Sequence, residues 1–152
     1  MIVWHFTESA TVSATYNAFA SDQPDVEFHV LPNVCAHFVI GPDGTIYQLV
    51  PVTIMCRHVV GLNYTAIGIE NVGFSDRQVL DDAAQLRAAL ALTHYLRCRF
   101  RIPPGNVIGH NESLASPYYR ERVAAFRGQT HGDFVTADMV HVRAMVSASP
   151  CP

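Results

Sequence analysis

CAHFVIGPDGTIYQLVP, residues 35–51, is the stretch from which the fold can be read. Phe38 and Ile40 precede the turn sequence GPDG, and Ile46, Leu49 and Val50 follow it. Pro42 presets φ and Gly44 supplies a positive φ, so two short apolar runs joined in this way read as a β-hairpin. Working outward, IVWHF near the N-terminus is a buried strand that ends on polar TES. AIGIENVG (66–73) is another strand, with Gly68 and Gly73 as turn or close-approach positions. NVIGH (106–110) is a further short strand. Between the strands the apolar period changes. TVSATYNAFA (11–20) fits a short helix capped by Thr11 or Ser13, and SDQPD (21–25) is a turn. From Asp81 to Arg101 an apolar face runs through Ala83, Ala84, Leu86 and Leu90. Asp81 and Asp82 suit the start of this helix, Arg97 and Arg99 its end, and Pro103-Pro104 stops it. Residues 111–128 form a polar excursion, and residues 136–148 close the chain as a helix capped by Thr136. Interleaved strands and helices predict a mixed α/β class, with a central mixed β-sheet flanked by helices.

The 152 residues are enough for one domain with a substantial core. Hydrophobic residues make up 49% and charged residues 15%, a globular composition. Ten basic residues against 13 acidic ones give a formal charge of -3. No Lys/Arg run exceeds a pair, which excludes a nucleic-acid footprint, and RCRFR (97–101) reads as a helix C-terminus. No apolar run approaches the roughly 18 residues of a membrane span. The first residues lack a cleaved leader, so the expectation is a cytoplasmic protein or one exported by a leaderless route. None of the four cysteines forms a CxxC pair, which argues against a zinc ribbon. Cys35, Cys56 and Cys98 read as small buried hydrophobes, and Cys151 as an exposed, nearly terminal thiol. Oligomeric state is not legible.

Chemistry enters with three polar groups. His5 closes IVWH, His110 closes VIGH, and Asp133 stands in THGDF (130–134). If the two short strands are neighbours, both imidazoles project from one sheet edge. Two nitrogens, one oxygen and an open position form the catalytic-zinc pattern, whereas structural zinc would be closed by a fourth protein ligand. From residue types alone, ordinary hydrogen-bonded histidines compete with this reading, because the chain has eight histidines.

IVWHFTES, CAHFVIGPDGTIYQLVP, RHVVGLN, AIGIENVG, IPPGNVIGH and HGDF, in this order, resemble the zinc-dependent N-acetylmuramoyl-L-alanine amidases. This family shares its fold with peptidoglycan recognition proteins, and the similarity runs from residue 2 to about 134. The resemblance implies one Zn²⁺ held by His5, His110 and Asp133. It implies an acid/base role for Glu70, and a substrate that is peptidoglycan or a muropeptide. At the position of His131 the family more often has Lys or Thr. Here His131 is expected to stabilise the oxyanion, or alternatively to share the proton work. His58 is expected to contact substrate or a group that touches the metal, and Asn63 to hydrogen-bond peptide. His37 is expected to be buried, supporting the site. His29, His94 and His141 have no counterpart and read as surface or helix residues. The family's usual Asp-Pro-Gly is Asp133-Phe134 here, which changes the turn beside the metal. Phe134, Tyr118 and Tyr119 are candidates for lining the groove, or for packing beneath its loop. The reading from another functional class is a non-catalytic peptidoglycan-binding module of the same fold. The three filled ligand positions argue for catalysis.

Overall fold

A computed structural model describes residues 1–151. Five strands form one sheet: β1 (Ile2–Phe6), β2 (Phe38–Ile40), β3 (Ile46–Gln48), β4 (Ile67–Asn71) and β5 (Val107–Gly109), in the order β3-β2-β4-β1-β5. β2 and β3 are the antiparallel hairpin expected around GPDG. All other pairings are parallel, so the sheet is mixed. β4 is the middle strand, and β1 lies between it and the edge strand β5.

Strand alternation divides the side chains between two faces. Ile2, Trp4, Ile67, Ile69 and Val107 enter the main core. There they meet α3 (Ala83–Phe100) through Ala89, Leu92 and Leu96, and α4 (Thr136–Ser147) through Met139, Val142 and Val146. The Trp4 indole N–H is satisfied inside this core by Thr93 Oγ1 at 2.9 Å. On the other face a smaller cluster joins Val3 and Ile108 to Val59, Leu62 and Ala66. That cluster sits toward the start of the strands and leaves the far end of the face to His5 and Glu70.

The expected N-terminal helix is α1 (Val12–Phe19), capped by Thr11, whose hydroxyl accepts from Ala14 N. The helix expected from Asp81 is two helices. α2 (Asp76–Asp81) is capped by Ser75, and Asp82 then turns extended and caps α3 by accepting from Ala84 N and Gln85 N. One aspartate thus ends the first helix and starts the next, because a short carboxylate competes well for free backbone N–H groups.

Two expectations are corrected here. Thr136 is not the cap of α4; it is the helix's first residue, and Val135 at the cap position offers no side-chain bond. The N–H groups of Phe134 and Val135 are instead taken by the two carboxylate oxygens of Asp76, each at 2.8 Å. The cysteines are not isolated hydrophobes: Cys35 bonds Cys56 and Cys98 bonds Cys151. Their Cα atoms lie 5.4 and 5.3 Å apart, within disulfide reach. Of the three cysteines expected to be buried, only Cys56 is; Cys35 and Cys98 are half-buried, and apolar context did not reveal the pairing.

Asp76 therefore holds two backbone donors, one of them buried. Asp76→Ala is expected to lower stability by roughly 2–3 kcal/mol, whereas Thr136→Ala shifts it by less than about 0.5 kcal/mol. Urea unfolding of the two variants checks the comparison.

Candidate active site

Parallel register places the polar groups. Cα pairing sets His5 opposite Glu70 on β1 and β4, and Trp4 opposite Gly109 on β1 and β5, so His110 follows directly beside His5. The C-terminal ends of parallel strands are the usual ligand edge of such sheets. Asp133 arrives from the segment before α4. A Cβ at Gly109 would run into the carbonyl and side chain of Phe134, so the bare glycine lets this segment cross β5 closely. Asn111 N donates to Asp133 O at 2.9 Å, and Thr130 Oγ1 donates to His110 O at 2.9 Å. Glu112 accepts from Gly109 N and forms a bidentate pair with Arg143 at 2.7 and 3.0 Å, tying the His110 turn to α4.

The result is a tight cluster. His5 Nδ1 lies 2.9 Å from Asp133 Oδ2, His110 Nδ1 lies 3.2 Å from Asp133 Oδ1, and the two ring nitrogens are 3.1 Å apart. All three residues are buried, and one ligand atom from each lies within 4.8 Å of the others. Two imidazole nitrogens at 3.1 Å cannot both point protons at one carboxylate without crowding. A divalent ion resolves this, and two nitrogens with one carboxylate oxygen are the donor set that suits it. Among the described residues, buried Glu70 Oε2 and His110 Nε2 also have no hydrogen-bond partner. His5, His110 and Asp133 could therefore hold a metal ion.

The electrostatics follow from burial. Burial raises Glu70 to about 7; the His5 charge opposes this and Asp133 reinforces it. Burial also works against the Asp133 charge, but bonds from His110 and His5 outweigh it and keep the carboxyl well below the usual range. Burial pushes His110 down to about 4 despite Asp133. For His5 burial is again the largest single cause and acts downward, but Glu70 and Asp133 together leave it raised.

Beside the cluster lies a cleft of about 480 Å³, lined among others by Thr7, Phe19, Arg57, His58, Glu70 and His131. His131 stands at its mouth, about half exposed, stacked on the His110 ring at 4.8 Å, with Nε2 3.3 Å from Glu27 Oε2. His37 is buried and bonded as expected, accepting from Gly68 N at Nδ1 and contacting Ile54 O through Nε2. His29, His94 and His141 lie away from the cluster, on the surface or on helices. Phe134 does not line the cleft: it is fully buried, edge-on to Trp4 at 5.4 Å, because the positive φ at this residue turns its ring into the core. Tyr118 and Tyr119 do not line it either. Tyr119 packs on the small cluster of the same face, and Tyr118 accepts from Asn106 at the surface. Asn63 spends its Oδ1 on the backbone N–H groups of His58 and Val59, at 2.9 and 2.8 Å. Arg57 is a wall residue that local sequence did not single out. It pairs with Asp25 at 3.0 Å and also bonds Pro32 O, which pins residues 25–32 beside the cleft.

A buried carboxylate thus stands beside a convergent two-imidazole, one-carboxylate cluster that could hold a metal ion, at the edge of a mixed sheet. The sequence profile of the amidase-2 family, N-acetylmuramoyl-L-alanine amidase, matches residues 1–126, and the chain belongs to this family. Asp133 lies beyond the matched segment, so its membership of the cluster rests on geometry. No curated protein matches the chain in sequence. Among solved structures, the chain resembles the amidase LysC from Clostridium intestinale, with TM-score 0.62 and 20% identity over 97% of this chain and 84% of that one. It resembles AmiD from E. coli, in complex with the substrate anhydro-N-acetylmuramic acid-L-Ala-D-γ-Glu-L-Lys, with TM-score 0.58 and 21% identity over 74% of this chain. It also resembles AmpDh3 from Pseudomonas aeruginosa, in complex with an anhydromuramic pentapeptide, with TM-score 0.57 and 22% identity over 74% of this chain. The chain spans about half the length of the last two, 48% and 50%. At these identities the likeness concerns the fold, which is the expected mixed sheet.

The raised Glu70 carries a stability signature. Its native pKa of about 7 exceeds the unfolded value, so native protein holds a proton that unfolded chain releases earlier as pH rises. Stability attributable to Glu70 therefore falls between the ordinary carboxylic range and pH 7, and the loss is complete above it. In metal-free protein, Glu70→Gln is expected to raise Tm by several degrees at pH 8, corresponding to up to about 3 kcal/mol, and to leave it nearly unchanged at pH 4. Calorimetry at the two pH values checks the sign.

Proposed function

We propose that this chain is a zinc-dependent amidase that hydrolyses the bond between the lactyl group of N-acetylmuramic acid and L-alanine. The observation that carries the proposal is the buried convergence of His5, His110 and Asp133 beside Glu70, in a chain of the amidase family. The anhydromuramyl peptides bound to AmiD and AmpDh3 indicate the substrate class, and a cleft of about 480 Å³ is in the range of small-ligand sites.

His5, His110 and Asp133 are the residues that would hold the ion. A zinc ion there would polarise the amide carbonyl and lower the pKa of a bound water to about 7. In this reading Glu70 takes a proton from the attacking water; burial, which brings its pKa to about 7, near the working pH of a general base, supports the role. Water oxygen bonds the carbonyl carbon, the C–N bond breaks, and Glu70 returns its proton to the leaving nitrogen. The products are the muramic carboxylic acid and a peptide with a free amino terminus. We assign to His131 the donation of a hydrogen bond to the oxygen that gains charge; its stacking on His110 at the mouth supports this role. Arg57 and Thr7 face the cleft and supply polar contacts for the substrate.

Purified protein is expected to bind one zinc ion, with Asp133→Ala weakening it by about 100-fold or more. Glu70→Gln is expected to keep the metal while turnover of an anhydromuramyl peptide falls about 10²–10⁴-fold. His131→Ala is expected to cost about 10²–10³-fold in kcat. Metal titration combined with mass spectrometry of the products reads all three. Zinc-loaded protein that retains the muropeptide without releasing L-alanyl peptide would establish the binding-module reading in place of the enzyme.

A further inference from the structure

We propose that His58 is a positioning residue for His5: it fixes which ring nitrogen of His5 faces the metal. The proposal rests on the metal-site reading above. His58 Nε2 lies 3.3 Å from the carbonyl oxygen of Ala66, and His58 Nδ1 lies 3.0 Å from His5 Nε2. A carbonyl only accepts, so His58 Nε2 carries the proton. A neutral His58 then presents a lone pair at Nδ1, and His5 Nε2 must be the donor to it. That leaves the lone pair of His5 at Nδ1, the nitrogen that lies beside His110 Nδ1 and Asp133 Oδ2. One backbone carbonyl thus sets the tautomers of two rings in series. Metal-bound histidines characteristically donate their second N–H to such a partner, which orients the ring.

Three further observations point the same way. The His58 ring is held edge-on to His5, with centroids 5.2 Å apart and planes at 89°, so its ring nitrogen meets the His5 N–H. A Cβ at Gly68 would fall 2.7 Å from Cγ and Nδ1 of His58, so the glycine on β4 provides the room in which this ring stands. Asn63 Oδ1 accepts from the backbone of His58 and Val59, which fixes where the side chain begins. Both ring nitrogens of His58 are consumed inside the protein, so neither is available to a substrate. His58, expected to contact substrate or a group that touches the metal, and Asn63, expected to hydrogen-bond peptide, are here assigned to holding His5. His110 has no equivalent support, since its Nε2 is buried without a partner among the described residues.

The test uses zinc affinity by chelator competition and ring-nitrogen NMR of the zinc-loaded protein. His58→Phe removes the acceptor and is expected to weaken zinc about 10–100-fold. His58→Asn places an amide oxygen at the Nδ1 position and is expected to stay within about threefold of the parent. Gly68→Ala, which displaces the ring, is expected to resemble His58→Phe. NMR is expected to show the proton on Nε2 of both His5 and His58. Unchanged affinity in His58→Phe, an Asn variant as weak as the Phe variant, or a proton on His58 Nδ1 overturns the proposal while leaving the zinc site standing. A parent protein that binds no zinc overturns the site reading itself, and this proposal with it. Should His58→Phe fail to fold, the Asn variant and the tautomers of the parent protein decide.

Discussion

Parallel hydrogen bonding of β1 to a neighbour on each side determines which side chains can meet at the end of the sheet. With Ile2 opposite both Ile67 and Val107, every later residue is placed: Trp4 goes into the main core, and His5 emerges between Glu70 and the turn that begins with His110. A slip of one residue in β1 would send His5 into the core and Trp4 into the cleft. The apolar fit of Ile2 and Trp4 under α3 and α4 therefore enforces the polar geometry on the opposite face. Core packing and site assembly are two faces of one register.

The second constraint is electrostatic. Two carboxylates and several imidazoles share a small, largely buried volume, where unpaired charge is costly. The protein answers unevenly. Asp133 is kept ionised by two imidazole partners, whereas Glu70, with one oxygen lacking a partner, is pushed toward neutrality. Two acidic groups of similar chemistry are thereby separated in basicity, one suited to gripping a cation and the other to carrying a proton.

What was legible in the sequence is what is local. The hairpin of residues 35–51, the strand-ending positions of His5 and His110, and the Thr11 cap all follow from period and turn chemistry. Glu70 and Asp133 drew their meaning from the resemblance, because nothing in IGIE or THGDF by itself says that they meet His5. The missed features are contacts between distant segments. Asp76 anchors the backbone just before a helix that starts 60 residues later in the chain, and the Cys35–Cys56 and Cys98–Cys151 partners are 21 and 53 residues apart. Connectivity among four cysteines has three solutions that spacing cannot distinguish. Phe134 looked like a groove residue because it follows Asp133. Its left-handed backbone conformation reverses the side chain into the core, and a single sequence does not reveal that.

The Cys35–Cys56 bond joins the segment that carries Val34 to the one that carries Arg57, and both residues belong to the cleft wall. Such bonds persist in oxidising surroundings and are reduced by cytosolic thiol buffers. Reduction of this bond would release the two wall segments from one another, so the shape of the cleft is coupled to the redox state of its surroundings.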